Sequence, residues 1–190
     1  KSMDVFGDGW YDYVNRIRAG FAPLNDDDVT VLCGDLSWGM SLEESLEDFR
    51  FINALPGKKI LLKGNHDYWW NTAAKMKRFF AENGLDTFEI LHNNCLFYHD
   101  MALCGTRGWF YELDNQGSHN EKVLLREIGR LETSLKEAGD RDKLCFLHYP
   151  PIYQGYECPE ILHLLKEYDV KACYYGHLHG ASQRRAIEGT

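Results

Sequence analysis

The apolar positions of the chain repeat with two different periods. Between residues 10 and 19, "WYDYVNRIRA" sets Trp10, Tyr13, Val14 and Ile17 on one face at helical spacing, which predicts an amphipathic helix. "SLEESLEDFRFINAL" repeats the pattern with Leu42, Leu46, Phe49 and Ile52. It opens on Ser41 with Glu44 three positions later, the spacing of a capping box. A third helix is predicted over 72–83. The longest begins near Ser118, has Glu121 three residues on, carries Leu124, Ile128, Leu131 and Leu135, and stops at Gly139. Pro159, suited to a first helical turn, opens a short last helix.

Short β-branched or leucine-rich runs lie between these helices: "DVTVLC", "KKILLK", "CLFYHDMALC", "KLCFLH" and "VKACYY". Each reads as a strand. Helices and strands in alternation predict an α/β architecture. No repeat, low-complexity tract or linker divides the chain, so residues 1–190 read as one domain with enough length for a substantial core.

Four of the strands end alike. "VTVLC" runs into Gly34 and Asp35, "ILLK" into Gly64, Asn65 and His66, "LCFL" into His148, and "KACYY" into Gly176, His177 and then His179. Each apolar run delivers a metal-competent side chain where it stops. The carboxyl ends of strands in open α/β sheets are where ligands bind, because the rigid sheet there gives way to loops. For "GNHD" alone a plain turn is the competing reading, since Gly, Asn and Asp form turns readily. Carboxylate, amide oxygen and imidazole together make the nitrogen and oxygen donor set that suits Mn, Fe or Zn; calcium would take more oxygens. Histidines two apart on a strand point to opposite faces. In a loop after a glycine, His177 and His179 could serve two neighbouring ions, with Asp35 between them.

Charge and cysteines narrow the picture. A formal net charge of −8 disfavours a nucleic-acid partner. No apolar run is long enough to span a bilayer, and "KSMDVFGDGW" lacks the apolar core of a signal peptide, so a cytoplasmic address without membrane attachment is the expectation. Six cysteines without a C-x-x-C pair read as reduced, buried, small hydrophobes rather than disulfides or a zinc ribbon.

Taken in order, "GD" at 34–35, "GNHD" at 64–67, His148 in "LHYPP" and "GHLH" at 176–179 resemble the calcineurin-like metallophosphoesterase superfamily. The resemblance implies two mixed β-sheets packed as a sandwich with helices outside. It implies two divalent metal ions (Mn, Fe or Zn): Asp35 bridging them, Asn65, His148 and His177 completing one site, and His179 binding the other ion. His66 would be no ligand but the proton donor on the leaving-group side, in a phosphoesterase that attacks phosphorus with a hydroxide activated by both cations. The substrate would be a small phosphomonoester, phosphodiester or nucleotide. One fold carries many substrates, so the motifs name neither the ester nor the native metal, and they specify no oligomeric state.

The family's first block, an Asp-x-His after an opening strand, does not occur before Asp35. The expectation is an opening strand and that triplet ahead of Lys1; the alternative is a variant that binds one ion or none. An inactive relative kept as a binding scaffold and a metal-dependent nuclease are the other functional readings. Arg107, between an apolar run and Gly108, is read as a phosphate-binding fork or else a surface salt bridge. Asp67 either orients His66 or caps a turn. The aromatics near the motifs, Trp38, Tyr68, Trp69, Trp70, Trp109, Phe110, Tyr111, Tyr149 and Tyr153, are mostly core, with some available to stack on a flat leaving group. His92, His99, His119 and His163 receive no role.

Overall fold

The computed structural model describes residues 3–109, 118–153 and 155–179, with the side chains of 118–120 outside the description. Two short 3-10 turns, Met3–Phe6 and Asp8–Trp10, precede helix α1 (Tyr13–Phe21). The helix expected from residue 10 starts later because Asp12 takes a left-handed φ of 53°, which breaks the helical path behind Trp10. Strand β1 (Val29–Leu32), helix α2 (Leu46–Asn53), β2 (Lys58–Leu62), α3 (Ala73–Glu82) and β3 (Phe88–Leu91) follow as two parallel crossovers. The Ser41 and Glu44 signature is present but caps a turn ahead of α2: Glu44 N donates to Ser41 Oγ at 3.2 Å and Met40 N to Glu44 Oε2 at 2.9 Å.

The run read as one strand over 95–104 is a hairpin, β4 (Cys95–Tyr98) and β5 (Met101–Thr106), because His99 turns the chain at a φ of 50°. Then come α4 (Ser118–Glu137), β6 (Asp142–Leu147), a small hairpin of β7 (Ile152–Tyr153) and β8 (Tyr156–Glu157), α5 (Pro159–Glu167) and β9 (Val170–Tyr175). Strands β3, β7 and β8 were not expected.

Strands β1-β2-β3 form a parallel sheet, and β4-β5-β6-β9 form a mixed one. Period-two alternation shows how they pack. Ile60, Leu62, Leu91, Leu103 and Phe146 form a buried cluster drawn from both sheets, so these faces meet. Leu61 and Ile90 instead join Phe49, Met76 and Phe80 of α2 and α3. Ala102, Cys104, Cys145 and Leu147 join Leu131 and Leu135 of α4 and Ile161 and Leu165 of α5. The layers run helix, sheet, sheet, helix, as the resemblance implied. All six cysteines are free, four of them buried.

Candidate metal centre

Both sheets aim the carboxyl ends of their parallel strands at one edge. Asp35 follows β1, Asn65 follows β2, His148 follows β6 and His177 follows β9. Two glycines permit the approach. A Cβ on Gly34, whose φ is +92°, would meet Gly64 N at 2.5 Å and His148 Nδ1 at 2.7 Å, and a Cβ on Gly64 would collide with the Asp35 side chain. Asp35 and His177 themselves hold left-handed φ values of 58° and 66°, which is backbone strain kept at a site by its surroundings.

His148 is fully buried, and its Nδ1 lies 2.7 Å from the Cys33 carbonyl oxygen. A carbonyl only accepts, so Nδ1 carries the proton and Nε2 presents a lone pair. That Nε2 lies 2.6 Å from Asn65 Oδ1 and 3.5 Å from Asp35 Oδ2, while His177 Nδ1 is 3.1 Å from the same Asn65 oxygen. Burial pushes both imidazoles below their ordinary pKa, and the neighbouring His148 lowers His177 further. His148 Nε2, the Asn65 amide oxygen and the Asp35 carboxylate therefore turn acceptor atoms toward one another, with His177 Nδ1 beside them. Asp35, His148 and His177 offer ligand atoms all within 4.8 Å of one another, and Asn65 joins them through those contacts. A divalent cation fits this donor set, since it answers the facing acceptors at once and a neutral His177 can turn a ring nitrogen to it.

His179 stands apart. It is exposed, with its ring 5.6 Å from Trp10, and does not belong to the Asp35, His148 and His177 group. His66 donates its backbone N–H to Asp35 Oδ1 at 2.8 Å, while its ring lies between Trp38 at 5.5 Å and Tyr68 at 6.2 Å. His66 does not belong to the Asp35, His148 and His177 group.

Asp67, left open between two roles by the sequence, ties the loops together. Its Oδ2 accepts from Asp35 N at 2.9 Å and Gly64 N at 2.7 Å; its Oδ1 accepts from Leu36 N at 2.8 Å and Trp69 Nε1 at 3.0 Å. Burial pushes its carboxyl up from the usual carboxylate range, against the pull of those backbone donors. Of the paired tryptophans after it, Trp69 is buried among α2 and α3, whereas Trp70 lines a pocket.

Arg107 lines the same pocket, of about 400 Å³, together with Lys63, His92, Glu127 and Arg130. It is no surface salt bridge: its partner Glu127, 3.7 Å away, is 1% exposed. Sequence reasoning missed Lys63, His92, Glu127 and Arg130; Glu127 and Arg130 lie on α4, whose polar positions carry no motif. Phe110 and Tyr111 lie outside the described residues.

Comparison with known proteins bears on family and fold. A family model described as calcineurin-like phosphoesterase matches residues 4–181. One solved crystal structure, 14% identical, aligns over 92% of this chain and 82% of its own with a TM-score of 0.57. The crystal structure of TT1561 of Thermus thermophilus, 15% identical, aligns over 78% of this chain and 68% of its own with a TM-score of 0.50. These two likenesses show the fold alone. No curated protein matches. With a family model spanning nearly the whole chain and its four ordered blocks meeting at one edge of the sandwich, this protein belongs to the calcineurin-like phosphoesterase family.

Proposed function

We propose that this chain is a metal-dependent phosphoesterase that hydrolyses a small phosphomonoester or phosphodiester. The observation that carries the reading is the convergence of the Asp35, Asn65, His148 and His177 side chains at one edge of the sandwich. Asp35, Asn65, His148 and His177 would hold one divalent ion, Mn, Fe or Zn, and His179 would contribute to a second beside Asp35. Such ions supply Lewis acidity toward phosphoryl oxygens and lower the pKa of water.

The remaining steps belong to the protein. The Cys33 carbonyl fixes the His148 tautomer, so that Nε2 faces the cluster without a proton to lose first. Asp67 holds the loops after β1 and β2 in register, so that Asp35 and Asn65 keep their spacing. Asp35 in turn anchors the backbone of His66. His66 gives a proton to the oxygen of the departing group as the bond to phosphorus breaks. Trp38 and Tyr68 flank its ring and offer that group apolar surface. Arg107 offers its planar fork to an anionic group of the substrate.

Metal analysis, together with hydrolysis of a chromogenic phosphomonoester and a chromogenic phosphodiester in added manganese, tests the reading. Bound metal and turnover of at least one ester are expected. Asn65→Ala should abolish both, whereas His66→Ala should keep the metal and slow turnover by roughly 10²- to 10⁴-fold. Protein that binds no Mn, Fe or Zn overturns the proposal. Metal binding with neither ester cleaved favours the scaffold reading instead, and cleavage of a polynucleotide at the expense of small esters favours the nuclease, against which the net charge of −8 weighs.

A further inference from the structure

The pocket of about 400 Å³ that Arg107 lines has a charge imbalance that Arg107 alone does not account for. It lies at the same edge of the sandwich: Lys63 follows β2, His92 follows β3 and Arg107 follows β5. The Arg107 carbonyl accepts from His148 N at 3.1 Å and Tyr149 N at 2.9 Å, so the strand end that forms the pocket wall also supports the buried ligand His148. Lys63 stands two residues from Asn65.

Three cations, Lys63, Arg107 and Arg130, face a single carboxylate there, that of Glu127. Glu127 is already engaged: Oε1 takes Arg130 at 2.5 Å and Arg107 at 3.7 Å, and Oε2 accepts from Thr106 Oγ1 at 2.7 Å. Lys63 makes no hydrogen bond or ion pair among the described residues, and Arg107 Nε is buried with no hydrogen-bond partner. Burial and the nearby Arg130 hold His92 below its ordinary pKa, so its ring adds no further charge near neutrality but can still donate one N–H. Half-buried cations lose solvation and repel one another; Asp67 acts on Lys63 only through space and the Trp109 ring lies 5.6 Å from the Arg107 guanidinium, so among the pocket's lining residues Glu127 is the one carboxylate for three cations. In a chain whose net charge is −8, such a concentration of positive charge is a local feature and not a reflection of composition.

We infer that this pocket receives a second anionic group of the ester, a phosphate or a carboxylate, while the scissile phosphoryl group sits on the metal cluster. The inference rests on the phosphoesterase reading and adds the substrate class: a small ester carrying two acidic groups, held at one end by Lys63, Arg107 and Arg130. Arginines provide the planar fork that matches either anion, and Lys63 adds an adaptable point charge.

Two measurements test it and separate its failure from that of the phosphoesterase reading. Calorimetry of the metal-free protein with inorganic phosphate should give one site per chain, weakened roughly tenfold by Lys63→Gln and by Arg130→Gln and unchanged by Asn65→Ala. Lys63→Gln removes no ion pair, so it remains informative should loss of the Arg130 and Glu127 contact impair folding. In the manganese-loaded protein, KM for phenylene bisphosphate should lie about tenfold below that for phenyl phosphate, and Arg130→Gln should collapse that ratio toward one while leaving kcat on phenyl phosphate intact. Absence of phosphate binding, or binding indifferent to both substitutions, overturns the pocket even where the simple ester is hydrolysed. Phosphate binding with equal KM values for the two esters overturns the substrate assignment and marks the pocket as a site for a free anion. Phosphate binding lost on substitution, in a protein that hydrolyses nothing, supports the pocket and rejects the enzyme.

Discussion

Asp67 carries more of the site's geometry than any residue outside the ligand set. Its carboxylate accepts from three backbone N–H groups and one indole, and two of those donors, Asp35 and Leu36, lie more than thirty residues earlier in the chain. Asp67→Ala strands these donors in a nearly dry interior, and an unpaired buried donor costs about 1–3 kcal/mol. We expect a loss of about 2–4 kcal/mol in urea denaturation and a metal affinity lower by roughly 10- to 100-fold in calorimetry. A change within about 0.5 kcal/mol with full metal affinity would mean that the loops hold their places without it. The candidate cluster was legible in the sequence because Asp35, Asn65, His148 and His177 each end an apolar run, and chain order alone exposes that pattern. The work of Asp67 was not legible, since two of its four donors, Asp35 and Leu36, come from a loop that only folding brings near.

The elements differ in how plainly they were written. Helices α3, α4 and α5 and strands β2, β6 and β9 follow the apolar periods closely, because each buries one face or both against a neighbouring layer. Strand β3 is four residues long with Glu89 in its middle, too little signal to separate from a loop. The β4–β5 turn, at His99 and Asp100, lacks the Asn-Gly or Asp-Gly pair that usually betrays a hairpin. Helix α2 has eight residues, and an isolated helix of that length is marginal in water. Tertiary packing through Phe49 holds it: the side chain is fully buried, with ring centroids of Trp69 at 4.8 Å, Phe80 at 5.6 Å and Phe88 at 6.1 Å. Phe49→Ala removes that anchor at a cost of about 3–5 kcal/mol, which in a chain of this size lowers Tm by roughly 10 °C. Thermal unfolding followed by near-UV circular dichroism reads this directly. A Tm within about 2 °C of the parent would mean that α2 is held by its polar contacts instead.

At the scale of the whole molecule, the candidate metal centre is also a joint. Asp35 and Asn65 extend from the parallel sheet, and His148 and His177 from the mixed sheet, so any ion they share bridges the two halves of the sandwich at the open edge of the apolar cluster between them. The pocket beside it was hidden from the sequence for the same architectural reason: Glu127 and Arg130 belong to the outer helix layer, and nothing in their local pattern marks which face reaches the strand ends. An ion that binds only when both sheets are in place stabilises the folded state by mass action, by about 2.7 kcal/mol at a free concentration one hundred times its Kd. Manganese should therefore raise Tm above that of the chelator-treated protein, by roughly 5–10 °C. The shift should survive His66→Ala, which leaves every ligand in place, and should shrink sharply in Asn65→Ala or His177→Ala, each removing a ligand from a different sheet. Equal shifts in all three variants would place the ion elsewhere. No shift in the parent would mean that the two sheets hold their separation without help from the cluster, and the acceptor atoms facing one another across the edge would then need a different cation or a proton to reconcile them.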